Sequence, residues 1–258
     1  MAHIVTAIIE SNDFYDNSSR FKIIEEALKM TNNGDILLFP AGFIEYNNFS
    51  QFSSKKISSE ISSILKKNNL NALVCFGVDT DEKENQLGIA VDQNGIVSLA
   101  RKFYPTDDEF GIINSAESVT EKEEGFSRTF NWNGKNYFLA VCYDTFGISK
   151  QKLKNPDVKA ILNLIHGFTP KGSEGSGEVY FAKYGIARSS KDWNCPTYAS
   201  CVFFERKLPE KFPTGVLLEN SNISMNTWKY DNNKIIAERQ NILQTKYETI
   251  ILKYYNNS

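Results

Sequence analysis

Cysteine and histidine are scarce in this chain, four and two among 258 residues. The thiols Cys75, Cys142, Cys195 and Cys201 have no paired metal-ligand spacing and are too few to staple a chain of this length. A reduced, cytoplasmic protein is therefore expected. Long apolar runs are missing too. No stretch of roughly eighteen uninterrupted apolar residues occurs, so no membrane span is predicted. The amino-terminal MAHIVTAIIESNDFYDN has no basic n-region and reads as a first strand, not a signal peptide. Excess charge is also lacking. A net charge of -2, a pI near 5.8 and the absence of a long basic run argue against nucleic acid or an anionic membrane as partner. Gly172, Gly175 and Gly177 carry no GK[ST] and follow no strand-to-helix fingerprint, which excludes a phosphate loop.

What is present is ordinary for a soluble globular protein: 41% hydrophobic and 23% charged residues. Strand and helix patterns alternate, without tandem repeats or low-complexity segments. HIVTAIIE opens as a strand. SSRFKIIEEALKM carries Phe21, Ile24 and Leu28 at near-helical spacing, with Ser18 or Ser19 predicted as N-cap and Gly34 as the stop. DILLFP, NALVCFGVDT and VKAILNLI are short, almost wholly apolar runs, as strands covered on both faces require. SSEISSILKKNNL and EVYFAKYGIARSSKDW read as helices, TYASCVFFE and TKYETIILKYY as strands. Two hairpins are predicted. LGIAVDQNGIVSLARKF would turn through Gln93-Asn94-Gly95 in a primed turn, and FSRTFNWNGKNYFLAVCYD at Asn133-Gly134. No linker interrupts the pattern, so residues 1–258 are expected to form a single α/β domain built as a layered sandwich.

Chemistry concentrates at YFLAVCYD, where Cys142 ends an apolar β-run just before a bend marked by Asp144 and Gly147. Taken alone, such a cysteine is more often a buried core residue. At a sheet rim, however, the N–H groups of the following turn would face a developing oxyanion. GKNYFLAVCYD resembles the nucleophile segment of the nitrilase superfamily of carbon–nitrogen hydrolases, in which a Gly-Lys or Gly-Arg turn leads into a strand ending Cys-Tyr-Asp. LGIAVDQNGIVSLARKFYP resembles that family's hairpin ending in the catalytic lysine, here Lys102. SSRFKIIEEALKMTNNGDILLFP resembles its first helix and second strand. A lysine near a strand end is commonly a solvated surface residue. Beside a cysteine it would lower the thiol pKa and stabilise a tetrahedral intermediate.

The departure from the family lies after Pro40, where a glutamate serving as general base is expected and Ala41 stands instead. Three possibilities arise. Glu45 swings in, aided by Gly42. A carboxylate of the Asp107, Asp108, Glu109 cluster substitutes. Or the base is gone. Glu109 also matches the family's additional glutamate that orients the site, and otherwise reads as part of a solvated acidic loop. His166 comes after an apolar strand where the family lines its pocket. A Cys142–His166 thiol pair would need an Asn or Asp orienter, and none is identifiable by spacing. His3 has no evident role.

The resemblance implies a four-layer α-β-β-α sandwich and thiol-dependent hydrolysis of a small non-peptide amide. Cys142 would attack, Lys102 would stabilise the oxyanion and Glu45 would move protons, with Glu109, Tyr143 and His166 around the substrate and no metal or organic cofactor. The competing reading is a catalytically silent relative that binds a small molecule or a protein partner. The resemblance also implies a homodimer or higher homo-oligomer, with Phe146–Leu153 at the contact. Light scattering at micromolar concentration should then read at least twice the 29.3 kDa monomer mass, and a monomer alone would refute it.

Overall fold

A computed structural model describes residues 1–11, 17–46, 48, 52–80, 84–170, 177–218, 224–226 and 234–257. The apolar runs become strands that need cover on both faces. β1 (His3–Ser11), β2 (Ile36–Leu38), β3 (Ile44–Tyr46) and β4 (Leu73–Thr80) are joined by α1 (Asn17–Leu28) and α2 (Ser54–Lys67). β5 (Asn85–Asp92) and β6 (Gly95–Arg101) form one hairpin, and β7 (Thr129–Trp132) and β8 (Lys135–Val141) the other. Then come α3 (Asp144–Lys150) and β9 (Ala160–Phe168). A helix in three stretches succeeds them, Glu178–Tyr180, the π-helical Phe181–Ala187 and Arg188–Trp193, called α4 as a whole. β10 (Thr197–Phe204), β11 (Gly215–Val216), β12 (Arg239–Gln244) and β13 (Glu248–Asn256) complete the chain.

The strands run in the order β6-β5-β4-β2-β1-β10-β9-β8-β7. β1 is the junction: Ile4–Thr6 pair with β2, Ile8–Ser11 with β10, and β13 runs antiparallel along its length. Because side chains alternate along a strand, each half of the sheet has a helix face and an inner face. Val74, Phe76 and Val78 of β4 pack with Ile24, Ile57, Ile61 and Leu65 of α1 and α2. Phe138, Ala140 and Ile161 of β8 and β9 pack with Ile148 of α3 and Trp193 of α4. Leu73, Cys75, Leu139, Val141, Leu162 and Leu164 fill the space between the two inner faces. Helices, sheet, sheet and helices thus stack in four layers. Asp79 shares the inner parity of Cys75, and His166 that of Leu162 and Leu164. No helix of the described residues is long and apolar enough to cross a membrane.

Several local expectations are corrected. α1 begins at Asn17, so Ser18 and Ser19 lie inside its first turn, and residues 12–16, where a cap would stand, are outside the described set. The first hairpin does not use a primed turn. The Asp92 carboxylate accepts the N–H groups of Asn94 at 2.7 Å and Gly95 at 3.1 Å, and only Gly95 takes a positive φ, 130°. That side-chain-to-backbone closure replaces the backbone turn. The second hairpin has the expected geometry, with φ of 48° at Asn133 and 79° at Gly134. β12, RQNILQ, is a largely exposed edge strand without a clear apolar alternation. The glycine-rich loop at 171–176, most of SNISMNTW and Asp231-Asn232-Asn233 lie outside the described residues. Of the Phe146–Leu153 segment, Phe146 and Ile148 are buried, leaving Lys150, Gln151 and Lys152 exposed.

The chain after β2 lies flush against β4, so close that a Cβ on Gly77 would stand 2.3 Å from the Ala41 Cα. Gly77→Ala is expected to cost about 3 kcal/mol or more in urea unfolding, at the upper end of overpacking. Gly134→Ala, with φ 79° but open space around it, should cost only the left-handed strain of about 1–2 kcal/mol.

Candidate active site

Cys142 comes directly after the last residue of β8 and has φ 50°, a left-handed conformation unusual for a residue with a side chain. The turn into α3 forces it. The Cys142 N–H donates to the Leu164 carbonyl at 2.6 Å, and Asp144 then starts the helix. Such strain costs on the order of 1–3 kcal/mol and persists only where its surroundings hold it. Here they do. The buried Asp144 carboxylate accepts from the N–H groups of Val141 (3.0 Å), Phe103 (2.8 Å) and Tyr104 (3.0 Å) and from Arg128 Nη1 (2.9 Å). Arg128 is itself buried against the Phe103 and Phe138 rings. The elbow is thereby tied to the residues directly after Lys102.

Lys102 is 1% exposed. Its Nζ donates to Glu109 Oε2 at 2.5 Å and Gln86 Oε1 at 2.9 Å, and lies 5.9 Å from the Tyr143 ring centroid. Glu109 also accepts from the Thr106 N–H at 2.8 Å and Gln86 Nε2 at 2.9 Å. Burial alone would raise the Glu109 carboxyl, but the Lys102 charge and these hydrogen bonds outweigh it and hold it at about 2. Glu109 therefore orients the lysine, and is not a solvated loop charge.

His166 reaches across the inner space from β9. Its Nε2 sits 3.0 and 3.1 Å from the two Asp79 carboxylate oxygens on β4. It is a neighbour of the nucleophile candidate through the strand pairing, since the Cys142 N–H donates to the Leu164 carbonyl two residues before it, and it acts on the Cys142 thiol. Burial would raise the Cys142 thiol, but Lys102 and His166 outweigh it and bring the thiol below its ordinary value. Burial would lower the imidazole, but Asp79, and then Cys142, lift it to about 10. The other three thiols are buried, and burial pushes each of them up.

Glu45, expected at Lys102 or Cys142, makes no hydrogen bond or ion pair with either. β3 holds it in the sheet: Glu45 stands opposite Asp79 in parallel register, and its N–H and carbonyl both pair with the Asn17 amide. Ala41 donates its N–H to the Ile165 carbonyl at 3.2 Å. Gly42 has φ 60°, and a Cβ there would meet Asp79 Oδ2 at 2.8 Å and His166 Cδ2 at 3.1 Å. The parts played by Asp79, Gln86, Arg128 and Asp144 escape sequence reasoning. Asp144 is marked only as a bend residue, and Asp79 only as a carboxylate in an apolar strand at inner-face parity with Cys75.

Aromatic rings border the sulfur. Tyr143 stacks on Phe146 with ring centroids 4.5 Å apart and meets Phe181, the first residue of the π-helical stretch, edge-on at 5.4 Å. Burial first, then the negative charge at Cys142, pushes the Tyr143 hydroxyl up to about 12, so it stays protonated. Tyr180 stacks on Phe146 at 5.6 Å and is 53% exposed.

No family model matches the sequence, and no curated protein does. Solved structures are similar in fold. A carbon-nitrogen hydrolase from Helicobacter pylori G27 aligns over 98% of this chain and 88% of its own, at 10% identity and a TM-score of 0.55. XC1258 from Xanthomonas campestris, a CN-hydrolase superfamily protein with an arsenic adduct in the active site, aligns over 100% and 92%, at 12% identity and 0.59. A glutamine-dependent NAD(+) synthetase from Cytophaga hutchinsonii aligns over 98% of this chain but 43% of its own, at 14% identity and 0.54. The fold is that of the carbon–nitrogen hydrolases.

The Glu109 geometry carries a stability prediction. A carboxyl depressed by folding stabilises the fold above its unfolded pKa, and that contribution is lost as pH falls through the folded value. Glu109→Gln should cost about 2–3 kcal/mol at pH 7, less than removing one partner of a buried pair outright, because glutamine keeps one of the two accepting oxygens and the site is partly exposed. In urea titrations the gap should close as pH drops from about 4 to about 2. A gap independent of pH would refute the ionic origin.

Proposed function

We propose that this chain hydrolyses a small non-peptide amide through a thioester on Cys142. One observation carries the reading: a cysteine on a strained elbow, its thiol pulled below the ordinary value, beside a lysine buried at 1% exposure. A structural thiol needs neither feature. Desolvation would penalise the Lys102 charge unless a stated interaction held it, and Glu109 and Gln86 do so while leaving it near the sulfur. The carbonyl carbon would be attacked by the thiolate, the C=O pair moving onto oxygen. Lys102 and the Tyr143 N–H, the first after the nucleophile, suit that oxyanion. Collapse breaks the C–N bond and leaves the thioester, which water resolves. The rings of Tyr143, Phe146 and Tyr180 favour a flat or apolar acyl group over a strongly charged one.

The silent-binder alternative rests on Ala41, and the same experiment decides. Intact-mass measurement during turnover of an amide panel should show an acyl adduct that maps to Cys142 and is discharged by hydroxylamine. Cys142→Ala should abolish it and lower kcat on the order of 10⁶-fold, the scale of losing a nucleophile. Lys102→Met should lower kcat about 10²–10³-fold, the scale of one oxyanion donor. Tight binding of an amide without any adduct would establish the binder.

A further inference from the structure

We propose that His166 is the proton-transferring residue of this site and that Asp79 positions it, so that Cys142, His166 and Asp79 act as a triad where the family resemblance expects a glutamate at position 41. This rests on the reading of Cys142 as nucleophile. Four observations converge on it. Ala41 carries no acid. Glu109 is committed to Lys102 at 2.5 Å. His166 lies two residues beyond Leu164, whose carbonyl accepts the Cys142 N–H, and it acts on the thiol. The Asp79 carboxylate straddles Nε2 at 3.0 and 3.1 Å, which holds the ring and leaves Nδ1 as the nitrogen available for proton transfer. The bare Cα of Gly42 makes this possible, since a side chain there would occupy the space of the Asp79–His166 pair.

The proton balance closes without another group. In the resting state the proton resides on the imidazole and sulfur is a thiolate. Attack forms the C–S bond. Imidazolium Nδ1 gives its proton to the amide nitrogen as the C–N bond breaks, and the amine leaves from a thioester beside a neutral imidazole. Nδ1 then takes a proton from water, whose oxygen attacks the thioester. The C–S bond breaks, the acid departs, and thiolate and imidazolium are restored. The charged groups around the imidazole are Asp79 from β4, Cys142 after β8 and, beyond the sulfur, Lys102 with Glu109. Glu45, opposite Asp79 in register, is the competing proton carrier.

The test uses p-nitrophenyl acetate, whose leaving group needs no proton, to load Cys142, and then tracks deacylation of the full-length protein. In the wild type a nitrophenolate burst should appear, and it should be lost in Cys142→Ala. His166→Gln should still acylate but deacylate about 10²–10⁴-fold more slowly, the usual contribution of general acid–base catalysis. Added imidazole should partly restore His166→Ala. Asp79→Asn should keep the fold, judged by circular dichroism, and move the pH limb of deacylation to lower pH, because the carboxylate that raises the imidazole is gone. A purely structural Asp79 would leave that limb in place. Glu45→Gln should deacylate normally. Wild-type deacylation in His166→Gln, or slow deacylation confined to Glu45→Gln, would overturn the triad and leave the thiol hydrolase standing. Absence of a Cys142-dependent burst in the wild type would overturn both. If His166→Gln does not fold, the Asp79→Asn limb decides.

Discussion

The Asp144 carboxylate, with three backbone N–H groups and one guanidinium on it, is the constraint from which the site hangs. It is the first residue of a short helix, so it complements the helix's own positive end. It also binds N–H groups of the segment leaving β6. Those bonds set the distance between the cysteine elbow and the lysine strand. Without them the left-handed Cys142 would relax, and Lys102 would have no fixed relation to the sulfur. Arg128 gives this frame its counter-charge, which a carboxylate this deep requires.

The site is then two ion pairs flanking one sulfur. Lys102 is paired with Glu109 and His166 with Asp79, so each cation acting on the thiol has its own carboxylate. The arrangement keeps the cluster close to neutral while presenting two positive groups to the sulfur. The two cations differ. One is an ammonium anchored at buried depth, and the other is an imidazole on a carboxylate.

Legibility in the sequence tracks the range of the interaction. Cys142 and Lys102 each close an apolar run whose local pattern marks a strand end, and the helices and strands around them come from two periodicities. Glu109 lies seven residues beyond Lys102, close enough for a loop to return it. Asp79 and His166 are 87 residues apart and meet only because two inner faces are brought together, so no spacing rule links them. Asp144 is visible as a bend marker but not as an acceptor, since two of its four donors lie 40 and 41 positions upstream. Glu45 misleads for a related reason: three residues of sheet pairing hold it in β3, and glycine freedom at position 42 bends the chain around His166 instead.

Gly42 also couples positions that are far apart in the chain. Its missing side chain and the imidazole–carboxylate pair fill one volume between them, since a Cβ there would meet Asp79 Oδ2 at 2.8 Å and His166 Cδ2 at 3.1 Å. Residues that share a volume in this way respond to substitution together, so changes at 42, 79 and 166 are not additive.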